Sequence, residues 1–191
     1  MNPASADEAG TIDSHDATPA TTRPRNRPDS IETLAAKIPV EMQEAWLPRL
    51  YRERILTIRT RSHTLPVPKH RDQVEIQFTL LGVELKVGRR RVLCPDLATA
   101  RYLAIFARVG CAAVAVPYDI TKISLLADEM ESAWQRALLL VEHHAKNRSR
   151  NVRSRVRSLL VGAMRREIEQ AGAGAAIPQF NQNTKQRRPR V

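Results

Sequence analysis

The chain predicts an α+β fold: a three-stranded antiparallel meander, a helix and a fourth strand (βββαβ), preceded by short helices and followed by two long ones. Three observations predict it. Between Val74 and Pro117 the apolar pattern has period two, then helical spacing, then a short all-apolar run. From Thr121 to Ala171 apolar residues recur at helical spacing, interrupted around Asn147, Ser149 and Asn151. Outside about 30–172 the chain turns to Pro, Asn, Gln and small residues, so a single domain is expected there between two ends without a core.

Residues 1–29 hold almost no large apolar side chain and predict no ordered structure. Their charge changes from acidic (Asp7, Glu8, Asp13, Asp16) to basic (Arg23, Arg25, Arg27). Asp29 or Ser30 can cap a helix through Lys37. Pro39 can open a second helix, Val40–Trp46, and Pro48 a third, reaching about Ile58. Beyond Leu56 the pattern fits a strand equally well. His63–Gln73, with two prolines, predicts a loop.

In 74–80, Val74, Ile76, Phe78 and Leu80 alternate with Glu75, Gln77 and Thr79, the pattern of a half-buried strand. After Leu81-Gly82 the alternation resumes with Val83, Leu85 and Val87, which sends Glu84 and Lys86 to the wet side. Gly88-Arg89 supplies a tight turn and 90–94 the returning strand. Asp96 is placed to cap a helix over Leu97, Ala100, Leu103 and Phe106, which Gly110 ends. Residues 111–116 form an apolar strand covered on both faces. A long helix near 121–145 carries Ile123, Leu126, Met130, Trp134, Ala137, Leu138 and Val141 on its dry stripe, and Asp128, Glu129, Glu131 and Glu142 on its wet face. A last helix, about 152–171, has Val152, Val156, Leu159, Leu160 and Ala163 on one face, and Gly172 and Gly174 end it.

The net charge of +11 is concentrated. Residues 146–166 contain Lys146, Arg148, Arg150, Arg153, Arg155, Arg157, Arg165 and Arg166 and no acid, and the 173–191 tail adds Lys185, Arg187, Arg188 and Arg190. These two segments account for the whole excess. A third basic cluster, Arg89, Arg90 and Arg91, stands at the hairpin turn. Arginine pairs with phosphate in a planar, two-pronged way that lysine cannot match. Nucleic acid is therefore the expected partner class, with these fifteen side chains as candidate phosphate contacts. An acidic protein docked by the same helix is the alternative. Aromatics make up only 4% of the chain and none interleave with the basic clusters, which disfavours base stacking and points to backbone contacts.

Catalytic motifs are sparse. The five histidines form no ligand set, no CxxC or glycine-rich phosphate loop occurs, and neither a cofactor nor a catalytic residue is assigned. Cys94 and Cys111 read as buried reduced thiols, with a disulfide between them as the alternative. With no apolar run long enough to span a membrane and no secretory leader pattern, they predict a cytoplasmic chain, or a nuclear one in a eukaryote. The βββαβ order after a helix, together with Glu84-x-Lys86 in VELKV, resembles the core of restriction-endonuclease-like nucleases across 48–117. That resemblance implies a divalent metal held by Glu84 with Asp72, Glu75 or Asp96, and Lys86 orienting water. A wet strand face for Glu84 and Lys86 is the preferred reading.

Overall fold

The computed structural model describes residues 29–70 and 73–175. The sequence-predicted N-terminal arm, apart from Asp29, and the four basic residues of the tail lie outside them. Helix α1 spans Ile31–Met42, with the Ser30 hydroxyl accepting the Thr33 N–H at 3.1 Å as its cap. It runs straight through Pro39, where a new helix was expected. Pro39 removes one rung of the ladder, but Leu34, Ile38 and Met42 fall on one buried face, and that packing outweighs the missing bond. A single turn leads to α2, Leu47–Leu50, which widens at Tyr51–Ile55 so that the Leu56 N–H reaches back to Tyr51 O at 3.1 Å.

Five strands follow in two sheets. Strand β1, Thr60–Thr64, lies in the stretch after Leu56 that the pattern left open between helix and strand, and continues into the expected loop at His63. Strands β2 (Val74–Thr79), β3 (Gly82–Val87) and β4 (Arg90–Cys94) form the expected antiparallel meander, with Gly88 at φ 62° in its second turn. Helix α3, Leu97–Val109, starts on Asp96, whose carboxylate accepts the Thr99 N–H at 2.6 Å, and stops at Gly110 with φ 88°. Strand β5, Ala113–Pro117, does not join the meander. It pairs antiparallel with β1, Thr60 opposite Pro117 through Thr64 opposite Ala113. Helices α4, Ile120–His144, and α5, Arg150–Ala171, close the fold, the second capped by the Ser149 hydroxyl. No helix among the described residues is long and apolar enough to cross a membrane.

One apolar cluster joins α1–α5 to both sheets. At its centre Phe106 meets Tyr51 edge-on and Tyr102 at a tilt, ring centroids 5.4 and 5.0 Å apart. Both phenols turn to Ala115. The Tyr51 hydroxyl accepts the Ala115 N–H at 2.9 Å and donates to Gly172 O at 2.7 Å, and the Tyr102 hydroxyl donates to Ala115 O at 2.6 Å. The free edge of β5 is thus satisfied by side chains. On the outer edge of β1 the Ser62 N–H donates to Ala175 O at 2.8 Å, so the chain follows this sheet past the end of α5.

Two expectations about the meander need correction. Leu80 is in the turn and fully exposed, and Phe78 is largely exposed, because the tip of the β2–β3 hairpin projects beyond the cover of α3. Glu84 is buried, not wet: Thr79 Oγ1 and Arg91 Nη1 each lie 3.4 Å from its carboxylate and roof it over.

Candidate nucleic-acid interface

Counter-ions sort the cations into two groups. Helix α4 carries the acids. Its Asp128 and Glu131 hold Arg101 of α3, Glu129 stands 4.0 Å from Arg54, and Glu142 takes both Arg153 and Arg157 of α5, at 3.1 and 3.0 Å. Arg101, Arg153 and Arg157 are half-buried in these pairs, while Arg54 stays exposed. Arg153 and Arg157 are half-buried where α5 meets α4, so they leave the free flank predicted for them. The dry face of α5 is rotated accordingly. Val156, Leu160, Val161, Met164 and Ile168 are buried, and Leu159, expected inside, faces solvent.

The other cations of the 146–166 run are less committed. Arg148 donates to the backbone oxygen of Asp29 at 2.7 Å, and Asp29 itself is held by Lys37. The Lys37 ammonium, by hydrogen bond and charge, keeps the exposed Asp29 carboxyl below its ordinary value. Lys146 and Arg150 are exposed at the α4–α5 corner. Arg155 and Arg166 are exposed, about three helical turns apart and so on one face of α5. Arg165 is exposed on a neighbouring flank, its side chain lying against the bare Gly110 turn. None of Lys146, Arg150, Arg155, Arg165 and Arg166 has an ion-pair partner among the described residues.

The hairpin turn is divided in the same way. Arg91 is shared with Glu84 at 3.4 Å, whereas Arg89 and Arg90 are exposed and unpaired among the described residues. They border a depression of about 820 Å³ between the turn and the Pro66–Lys69 segment, where the one carboxylate among the described lining residues, Glu75, already holds Lys86 at 3.2 Å. Across Val67, Pro68 and Lys69 lies a smaller recess of about 180 Å³ that contains Arg108 and Arg165. The fold therefore brings Arg89 and Arg90 of the hairpin turn and Arg165 of α5, far apart in the sequence, to two adjoining recesses that share Val67, Pro68 and Lys69 and together form a basic furrow. Lys69 and Arg108, which sequence reasoning passed over, complete it. Arg108 had a readable signal, an unbalanced cation in the last turn of α3. Lys69 had none beyond its place between proline-rich turns. No aromatic side chain among the described residues lines either part of the furrow.

The residues that carry the nuclease resemblance are otherwise occupied. Glu84 is tied to Arg91, Lys86 to Glu75, and Asp96 to the start of α3; Asp72 lies outside the described residues. Among the described residues no three His, Cys, Asp or Glu side chains lie close enough to hold a metal ion. Both cysteines are free and buried. Burial pushes the Cys111 thiol up to about 12 and raises Cys94 as well. Comparison with protein-family models, with curated proteins and with solved structures finds no match to this chain.

Proposed function

We propose that the chain is a non-catalytic nucleic-acid-binding protein that grips backbone phosphates. The observation that carries this reading is the separation of charge. Arg101, Arg153 and Arg157 are held by the acids of α4, while Arg89, Arg90, Lys69, Arg108, Arg165, Arg155 and Arg166 have no counter-ion among the described residues. Folding does not need these seven cations, and their mutual repulsion works against it. A polyanion would relieve that repulsion and release its own counter-ions on binding. The basic furrow has no aromatic lining among the described residues, which supports contact with phosphates in preference to bases, and so weak sequence preference. The tail cations Lys185, Arg187, Arg188 and Arg190 would extend the same grip. Buried, unreactive thiols fit the reducing cytoplasm or nucleus where nucleic acid is met.

The test is a fluorescence-polarisation titration of the full chain with duplex DNA and duplex RNA at about 50 and about 200 mM salt. The expected result is micromolar or tighter binding at the lower salt, weakened at least about tenfold at the higher. Absence of binding at low salt, or affinity indifferent to salt, overturns the proposal.

A further inference from the structure

Gly162 sits in the interior of α5, where glycine costs about 0.5–1 kcal/mol relative to alanine. Neither backbone nor packing asks for it. A Cβ there would meet only the far end of the Arg166 side chain, at an ordinary 3.7 Å. What the missing side chain does is open the recess of about 180 Å³ at the α5 end of the furrow. Lys69 from the loop after β1, Arg108 from the end of α3, and Arg165 and Ser158 from α5 line that recess with Gly110, and no carboxylate among the described residues lines it. None of the three cations donates a side-chain hydrogen bond to another described residue. Arg165 in particular donates no hydrogen bond to the end of α3, where Phe106 O and Ala107 O accept the N–H groups of Gly110 and Cys111.

We propose that this recess seats the terminal phosphate of a nucleic-acid strand. At about 180 Å³ the recess is large enough to seat a phosphate together with bound water. Three cations exceed the single charge of a bridging phosphodiester. They suit a phosphomonoester, which carries about −1.5 to −2 at neutral pH, with the Ser158 hydroxyl as a further donor. The adjoining depression, reached past Lys69, then offers Arg89 and Arg90 to the phosphates that follow. This inference rests on the nucleic-acid reading above and specifies which part of the strand the furrow holds.

The experiment compares full-chain binding to one duplex bearing 5′-phosphate, 3′-phosphate or hydroxyl ends, with inorganic phosphate as a second probe by thermal shift. One of the phosphorylated ends is expected to bind about tenfold tighter than hydroxyl ends, the effect of one charge-assisted hydrogen bond. Gly162→Leu, which fills the recess, and Arg165→Ala should bring that ratio towards one. Gly162→Ala, a milder intrusion that also guards against a misfolded leucine variant, should lower the ratio while raising the melting temperature. Salt-dependent binding with no preference for a phosphorylated end sinks this inference and leaves the general reading intact. A thermal shift by inorganic phosphate that Gly162→Leu abolishes, with no strand binding at all, makes free phosphate the ligand and overturns both.

Discussion

At the scale of single residues, Tyr51 links three parts of the chain through one oxygen. Its hydroxyl takes the Ala115 N–H of β5 and gives its proton to Gly172 O, and its ring packs on Phe106. Tyr51→Phe keeps the ring and strands both backbone groups, so we expect a loss of about 1–3 kcal/mol, measured by urea unfolding. Burial pushes the Tyr51 phenol up to about 12 and raises Tyr102 well above its ordinary value. Both must stay protonated in the folded chain, whereas in the unfolded chain they ionise near pH 10. Their contribution is therefore fully present below about pH 10. It falls as pH rises towards about 12, by up to about 1.4 kcal/mol per unit for each group. Melting curves over alkaline pH should show this decline, and Tyr51→Phe should make it shallower. Gly174 gives a second test. With φ at 78°, a Cβ there would stand 2.6 Å from Thr60 Oγ1 and 3.0 Å from Ala115 Cβ. Gly174→Ala should cost about 1–3 kcal/mol, because both the backbone and a rigid neighbour object.

At the scale of elements, α5 is two surfaces with different tasks, and substitution should separate them. Arg153 and Arg157 face Glu142, while Arg155 and Arg166 face solvent. Arg155→Ala or Arg166→Ala should each reduce the slope of log affinity against log salt by about 0.9 and leave the melting temperature unchanged. Arg153→Ala or Arg157→Ala should leave the slope alone and lower stability by less than about 1 kcal/mol, since the pairs are partly exposed. Polarisation titrations at several salt concentrations and thermal melts on the four variants decide it. What was legible in α5 follows from the same distinction. Asp96, Ser30 and Gly110 were readable as caps because a cap is chosen within three or four residues of where it acts, whereas Ser149, which caps α5, was read only as part of a helix break. The pattern leaves strand β1 open between helix and strand. TRSHT has no apolar alternation and becomes a strand because the apolar strand β5, far along the chain, needs a ladder partner. Arginines 153 and 157 read as free because their counter-ion sits on another helix, across the α4–α5 corner. The recess was invisible for the stronger reason that Lys69, Arg108 and Arg165 come from three separate segments.

At the scale of the whole molecule, the two sheets raise the question of whether the chain folds as one unit. The meander β2–β3–β4 and the β1–β5 pair share no ladder, and a boundary between them would be natural. The core contradicts that boundary. Helix α3 packs against β2 and β3 on one side and α4 on the other, and Phe106, Tyr102 and Leu103 are buried in a cluster that also takes in Leu85, Val114, Met130 and Leu160. Removing either sheet would expose the same helix, so neither can unfold at small cost. A single transition is expected, and the chain carries the probes to test it. Trp46 and Trp134 are buried among the helices. Cys94 closes β4 and Cys111 precedes β5, both thiols shielded in the folded state. Tryptophan fluorescence and pulsed thiol labelling should therefore give coincident midpoints in urea, with both cysteines becoming reactive together. Early labelling of Cys94 alone would instead make the meander a separate unit. The hairpin end of the furrow would then be able to loosen while α5 stayed folded, and Arg89 and Arg90 could not hold a fixed distance from Arg165. Coincident midpoints mean that both ends of the furrow are set by one core, the condition for reading phosphates at a fixed spacing.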